Sequence, residues 1–373
     1  MIIPAFCKFS GRKTLKNFCL LWLFVFVFLA VWPSTSGAIV SEELLNQAGL
    51  ETVWQNAVAL NPKEKIKKIT VLGSYLYILT DGNYLFCLDR NTGRLSFATV
   101  AAAPKLPVFE PVEYKGIAYL IAADDIIAVD VEKGVELYRN RIPFSAAAAA
   151  AVNGSYLYVP GTDKCLHILD PNGKLERFKA NADNVSVITS VLATDSYAIF
   201  ATNGGNVICM SPSAPKRLWQ FDAVGAITAP LTAVQNWLYV SGRDTNLYKL
   251  DAGSGRKAWE FPFHTGSALT TSARATQSVV YQYARDKGLY AIDANNGKQL
   301  WLLPDAVDLL AQDGSTAYIF DKNNTCTVMD NQQAKKIYTI NFAPVTTFAA
   351  NVYDNRIYIM EDKNISCIQP IKK

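Results

Sequence analysis

Residues able to do chemistry are sparse in this chain, and they do not cluster. There are two histidines, His167 and His264, and neither stands in a set of Cys or acidic residues with metal-ligand spacing. No phosphate-cradling glycine loop and no Gly-x-Ser-x-Gly elbow occurs. Asp124-Asp125 has the charge for a cation, but two adjacent acids in a polar turn are read as solvated. Asp89, Asp130, Asp170, Asp251, Asp293 and Asp330 each look catalytic in isolation. Together they recur at a nearly constant interval, and a periodic set of acids is structural. No catalytic residue, cofactor or metal site is therefore assigned, and the chain is expected not to be an enzyme.

The period belongs to a repeated unit, best preserved from Leu289 to Trp301. Leu289, Ala291 and Asp293 alternate with Tyr290 and Ile292, as strand side chains do. Asp293 ends the strand and is placed to accept hydrogen bonds from the backbone just after it. Asn296-Gly297 is expected to supply the positive-φ residues of a tight hairpin. Trp301 falls on the returning strand, where its ring can cover a neighbouring sheet.

Taking the turn residue as origin, copies start at Asp89, Asp130, Asp170, Ser211, Asp251, Asp293 and Asp330, at intervals of 41, 40, 41, 40, 42 and 37. Eight residues after each origin stands an aromatic: Phe97, Tyr138, Phe178, Trp219, Trp259, Trp301 and Tyr338. Pro215 and Ala334 replace the turn glycine in copies four and seven, so those two turns are expected to differ. The last copy stops at Lys373 without its aromatic strand, while Thr52–Val58, carrying Trp54, resembles that missing strand. About 40 residues and four short strands per unit describe an all-β, eight-bladed β-propeller of four-stranded blades, the last closed by the N-terminal strand. Innermost strands are expected near the start of each unit. They include the run Ala146–Ala151, which propensity alone would make helical.

The net charge of +4 comes from Lys8, Arg12, Lys13 and Lys16, and the remaining 32 basic and 32 acidic residues balance. A balanced body carries no global footprint for nucleic acid or an anionic membrane. Those four cations precede an apolar run over 18–32 and small residues up to Ala38, the pattern of an export signal cleaved after Ala38. An uncleaved anchor is the alternative, although the run is shorter than the roughly 20 residues of a membrane span. The domain reading is a signal peptide over 1–38, a short helix and linker over 39–51 with Ser41 as its cap, and a propeller over 52–373. Cys87, Cys165, Cys209, Cys326 and Cys367 remain in the exported part, an odd number without Cys-x-x-Cys pairs, and are read as small buried residues rather than disulfides.

One constellation points to binding. Arg243, Arg285 and Lys322 each stand eight residues before an origin in three successive units, which puts them on one rim. They form a basic arc for an acidic or backbone-exposing partner, with Tyr84 as an aromatic contact on the same rim.

The motif Leu-Tyr-Ala-Ile-Asp-Ala-x-x-Gly-x-x-x-Trp resembles the repeat of the pyrroloquinoline-quinone (PQQ) type β-propellers, over residues 52 to 369. The enzyme branch of that family implies adjacent cysteines, a calcium site and large insertions over the cofactor, and this chain lacks that pattern. It is more similar to the BamB-like propellers of outer-membrane protein assembly, without their acylated cysteine. That resemblance implies an exported, monomeric, non-catalytic scaffold in the periplasm or cell envelope. Its partner would be protein, of the barrel-assembly kind. A PQQ-dependent oxidoreductase and a membrane-anchored sensor or adhesin are the alternatives.

Overall fold

Asp293 shows why each unit folds locally as it does. Its carboxylate accepts from the N–H groups of Asn295 at 2.7 Å and Asn296 at 3.4 Å. The backbone then closes the turn twice, from Gly297 N–H to the Asp293 carbonyl at 2.9 Å and from Asp293 N–H to Lys298 at 2.8 Å. Gly297 takes φ +73°, but Asn296 stays out of the left-handed region. The expected pair of positive-φ residues is thus one, because the loop ends in a single left-handed residue followed by a bulge in the ladder. Copy seven keeps this geometry: Ala334 is forced to φ +52°, since the pairing of Asp330 with Lys335 leaves no other path. Copies three and four differ: in copy three Gly173, at φ +69°, closes on the Asp170 carbonyl one residue earlier, and in copy four proline cannot take positive φ.

The computed structural model describes residues 38–372. Among these residues the strands form eight four-stranded antiparallel sheets arranged as a propeller. Blades one to seven run in sequence over 66–100, 112–141, 151–180, 188–222, 232–264, 274–303 and 306–341. The eighth sheet joins three C-terminal strands over 347–370 to the N-terminal strand Leu50–Ala57. Leu50–Ala57 pairs antiparallel with Asn364–Pro370, Trp54 opposite Cys367, as Trp219 stands opposite Cys209 and Trp301 opposite Ala291.

No single core exists. Eight apolar clusters each lie between two neighbouring blades, for example Tyr77, Cys87 and Phe97 of blade one against Leu120 and Ile127 of blade two. Each fully buried aliphatic side chain contributes about 1.5–3 kcal/mol. Conserved geometry rather than conserved residue type stitches neighbouring blades together, because a side chain of each blade bonds the residue just after the turn origin of the next. Trp54 donates to the Arg90 carbonyl at 3.1 Å, Trp219 to Ala252 at 3.1 Å and Trp259 to Ala294 at 3.0 Å. Tyr138 donates to Pro171, and Trp301 reaches the Asn331 side chain at 2.9 Å. Phe97 and Phe178 have no donor. Ser96 supplies one to Val131, and Tyr158 supplies one to Pro212 at 3.0 Å.

The helix Glu42–Gln47 is capped by Ser41, whose hydroxyl accepts from Leu44 N–H at 3.4 Å. Leu45 is buried against blades seven and eight, with Leu44 and Ala48 packed beside it. The alanine run is not helical. Ala146 bridges Gly161, and the regular inner strand is only Ala151–Val152, since small side chains let the chain crowd inward without forming a full ladder.

Candidate interaction rim

In each blade, the turn between the second and third strands meets the connector arriving from the preceding blade. Arg243 N–H donates to the Ala226 carbonyl at 2.9 Å, and Lys322 N–H to Asp305 at 2.9 Å. Arg285 lies in the equivalent turn of blade six, where the neighbouring Lys287 lies against Gly266 of the incoming connector. All three cations are exposed. Among the described residues none of them forms an ion pair; Lys322 Nζ donates only to the Pro304 carbonyl at 3.3 Å. The turns bring acids as well. Asp286 and Asp305 are exposed beside Arg285 and Lys322, while Asp244 is engaged by the Tyr248 hydroxyl. The arc is therefore an array of free cations set among carboxylates, not a uniformly basic stripe.

Tyr84 begins the third strand of blade one, just after the corresponding turn, and it is half-buried against the cluster containing Val58, Ile69 and Phe86. Part of the ring therefore packs at the junction of blades eight and one. The most exposed apolar residue of the rim is Val224, 91% exposed in the connector that enters blade five beside Arg243, and Val185 holds the equivalent place in the connector to blade four at 50%.

The periodic residues sit where the repeat needs them. Asp89, Asp130, Asp170, Asp251 and Asp330 each accept turn N–H groups through their carboxylates, as Asp293 does. Asp124 and Asp125 are half-buried, and Asp124 engages Arg141 at 3.4 Å and Ser145 at 3.1 Å. Sequence reasoning also missed the surroundings of His167. Its ring is buried, stacked on Phe144 at 3.5 Å, and held by Glu176 at Nδ1 (2.6 Å) and Asp163 at Nε2 (3.0 Å). The two carboxylates hold opposite edges of the ring, so they do not converge on one point. Among the described residues, no group of three or more His, Cys, Asp or Glu is placed to hold a metal ion. The five cysteines of the described chain are free thiols, four of them buried and Cys165 half-buried.

Comparison with known proteins decides the family. A family model described as outer membrane protein assembly factor BamB matches residues 42–211 and 203–344. The chain belongs to this BamB-type PQQ-repeat family. Among solved structures, the BamB-type fold is shared with BamB from Moraxella catarrhalis, at 16% identity and TM-score 0.64, covering 86% of this chain and 97% of that one. A computationally designed protein, Ika8, aligns at 15% identity and TM-score 0.64, covering 84% of this BamB-type chain and 98% of its own. No curated protein matches by sequence. Designed and natural propellers sharing one backbone show how little the blade architecture alone says about activity.

Proposed function

We propose that this chain is a non-catalytic interaction scaffold of the cell envelope, which docks a protein partner on the rim of blades five to seven. The observation that carries the reading is the set Arg243, Arg285 and Lys322, exposed and without ion-pair partners in three successive turns, with Val224 projecting beside Arg243. A hydrophobic knob beside a line of cations set among carboxylates fits a partner that offers an apolar residue next to carboxylates. The family's description as an assembly factor supports a role in outer-membrane protein assembly and a non-enzymatic one. Export by a leader over 1–38 is part of the same proposal. That segment lies outside the described residues, except for Ala38, and among the described residues no helix is long and apolar enough to cross a membrane.

The test is affinity capture from envelope extracts with the wild-type chain and with the triple variant Arg243→Glu, Arg285→Glu, Lys322→Glu. Recovery of assembly proteins that is lost on reversal supports both the scaffold and its face. Recovery that persists retains the scaffold and removes this rim as its face. No partner from either chain overturns the reading.

A further inference from the structure

The first strands of the blades enclose an axial cavity of about 1090 Å³, large for a small-molecule site. It is bounded by blades one, two, five, six, seven and eight. Its chemistry is uneven. The charged groups at its wall are paired: Lys68 with Glu110, and Arg274 with Asp308 through three contacts, Nη2 at 2.8 Å and Nε at 3.1 and 3.3 Å. Asp354 is held by Arg90 at 3.2 Å. Of the uncharged polar groups, Thr232, Thr271, Thr276, Ser278 and Gln312 are bonded within the chain, and a smaller set is not. The side chains of Thr70, Ser272 and Gln277 and the hydroxyl of Tyr353 line the cavity and bond to no other side chain or backbone group of the described chain.

Tyr353 adds an apolar plate. It is 54% exposed at the cavity wall. Arg90 lies 5.6 Å from the ring centre and fixes it in place.

We propose that the axial cavity binds a neutral, polyhydroxylated ligand, a sugar or short oligosaccharide, stacked on Tyr353 and hydrogen-bonded by Gln277, Ser272 and Thr70. A sugar hydroxyl both donates and accepts, matching free hydroxyls and an amide that do the same. Its C–H face suits an aromatic ring. The charges at the wall are already paired, so a charged ligand would have to compete with an internal ion pair for them. The inference is independent of rim docking, since it uses none of the same residues.

The experiment is titration calorimetry of the full chain with maltotriose, cellotriose and chitotriose as probes. The expected result is saturable one-to-one binding of at least one probe. Tyr353→Ala should weaken it tenfold or more, and Gln277→Ala severalfold. Tyr353→Phe, which keeps the stacking plate, should retain most of the affinity and shows that loss in the alanine variant is not misfolding. Absence of saturable binding by all three probes overturns the proposal, as does binding that Tyr353→Ala leaves unchanged. Tighter binding of glucose 6-phosphate than of every neutral probe overturns the neutral class. None of these results bears on whether a protein partner binds the rim.

Discussion

The phenol of Tyr338 donates a 2.7 Å hydrogen bond to the carbonyl of Ala48, 290 positions away in sequence. Tyr338 is the aromatic of blade seven, and its equivalents bond the residue that follows the turn origin in the next blade. Blade eight has no such turn, because its third and fourth strands come from opposite ends of the chain. The cap of the N-terminal helix takes the turn's place. Gly49 has φ +68°, like Gly93 in a covalent turn, and Ile371 N–H donates to the Gly49 carbonyl at 2.9 Å where Asp89 N–H bonds Arg94. The two chain ends thus rebuild without a peptide link what seven other blades make with one.

That arrangement makes the first strand part of the cooperative unit. Deletion of residues 39–60 is expected to abolish a single cooperative unfolding transition in urea, followed by fluorescence and circular dichroism together. A truncated chain that unfolds in one transition at the wild-type midpoint would show that blade eight does not need Leu50–Ala57. Tyr338→Phe removes only one hydrogen bond and should cost about 1 kcal/mol.

The inter-blade aromatics should be the most sensitive positions for stability. Trp301 is buried, packs 5.9 Å from the Tyr281 ring and donates to Asn331. Trp301→Ala should destabilise by about 3–5 kcal/mol in urea titration. Leu218→Ala, on an outward-facing position 51% exposed, should lie within about 0.5 kcal/mol of wild type.

Ala334 offers a stabilising substitution. It holds φ +52° where five other blade turns carry glycine, and the left-handed region costs a non-glycine residue roughly 1–2 kcal/mol. Ala334→Gly should raise stability by about 1 kcal/mol, less the added freedom of the unfolded chain. The reverse change, Gly297→Ala, should destabilise twice over, because a Cβ there would lie 2.8 Å from the Trp259 ring as well as at φ +73°.

The buried thiols predict an alkaline limit. Burial pushes Cys87, Cys209 and Cys367 from 9.0 up to about 12. The folded chain keeps these protons while the unfolded chain releases them, so stability is full below pH 9 and falls as pH rises from about 9 to 12. Replacing the three cysteines with alanine should flatten that decline in pH-dependent urea titrations. At pH 8, a thiol reagent should label the half-buried Cys165 first and the other four only at the rate of unfolding.

Much of this molecule was legible in the one-dimensional pattern. The interval between Asp89 and Asp130, and its repetition, determined the blade count. The place of an aromatic eight residues on determined which side chains would join neighbouring blades. Trp54, standing alone before the first copy, matched the strand missing from the last. These are local or periodic properties, and a repeat reports them many times over, so one degraded copy such as Ser211 does little harm.

What the tertiary structure alone decided depends on neighbours that no interval records. Phe97 cannot donate, and only the fold shows Ser96 bonding Val131 in its stead, because the donor's identity is free as long as its reach is right. Tyr84 begins the strand that follows the rim turn of blade one, yet packing at the junction of blades eight and one buries part of it. His167 looked solitary until a hairpin brought Asp163 and Glu176 to opposite edges of its ring. The paired charges and free hydroxyls of the axial cavity come from five blades at once. Each of these depends on which side chain from a neighbouring strand or blade fills a particular space, and that is set by three-dimensional packing rather than by the period of the chain.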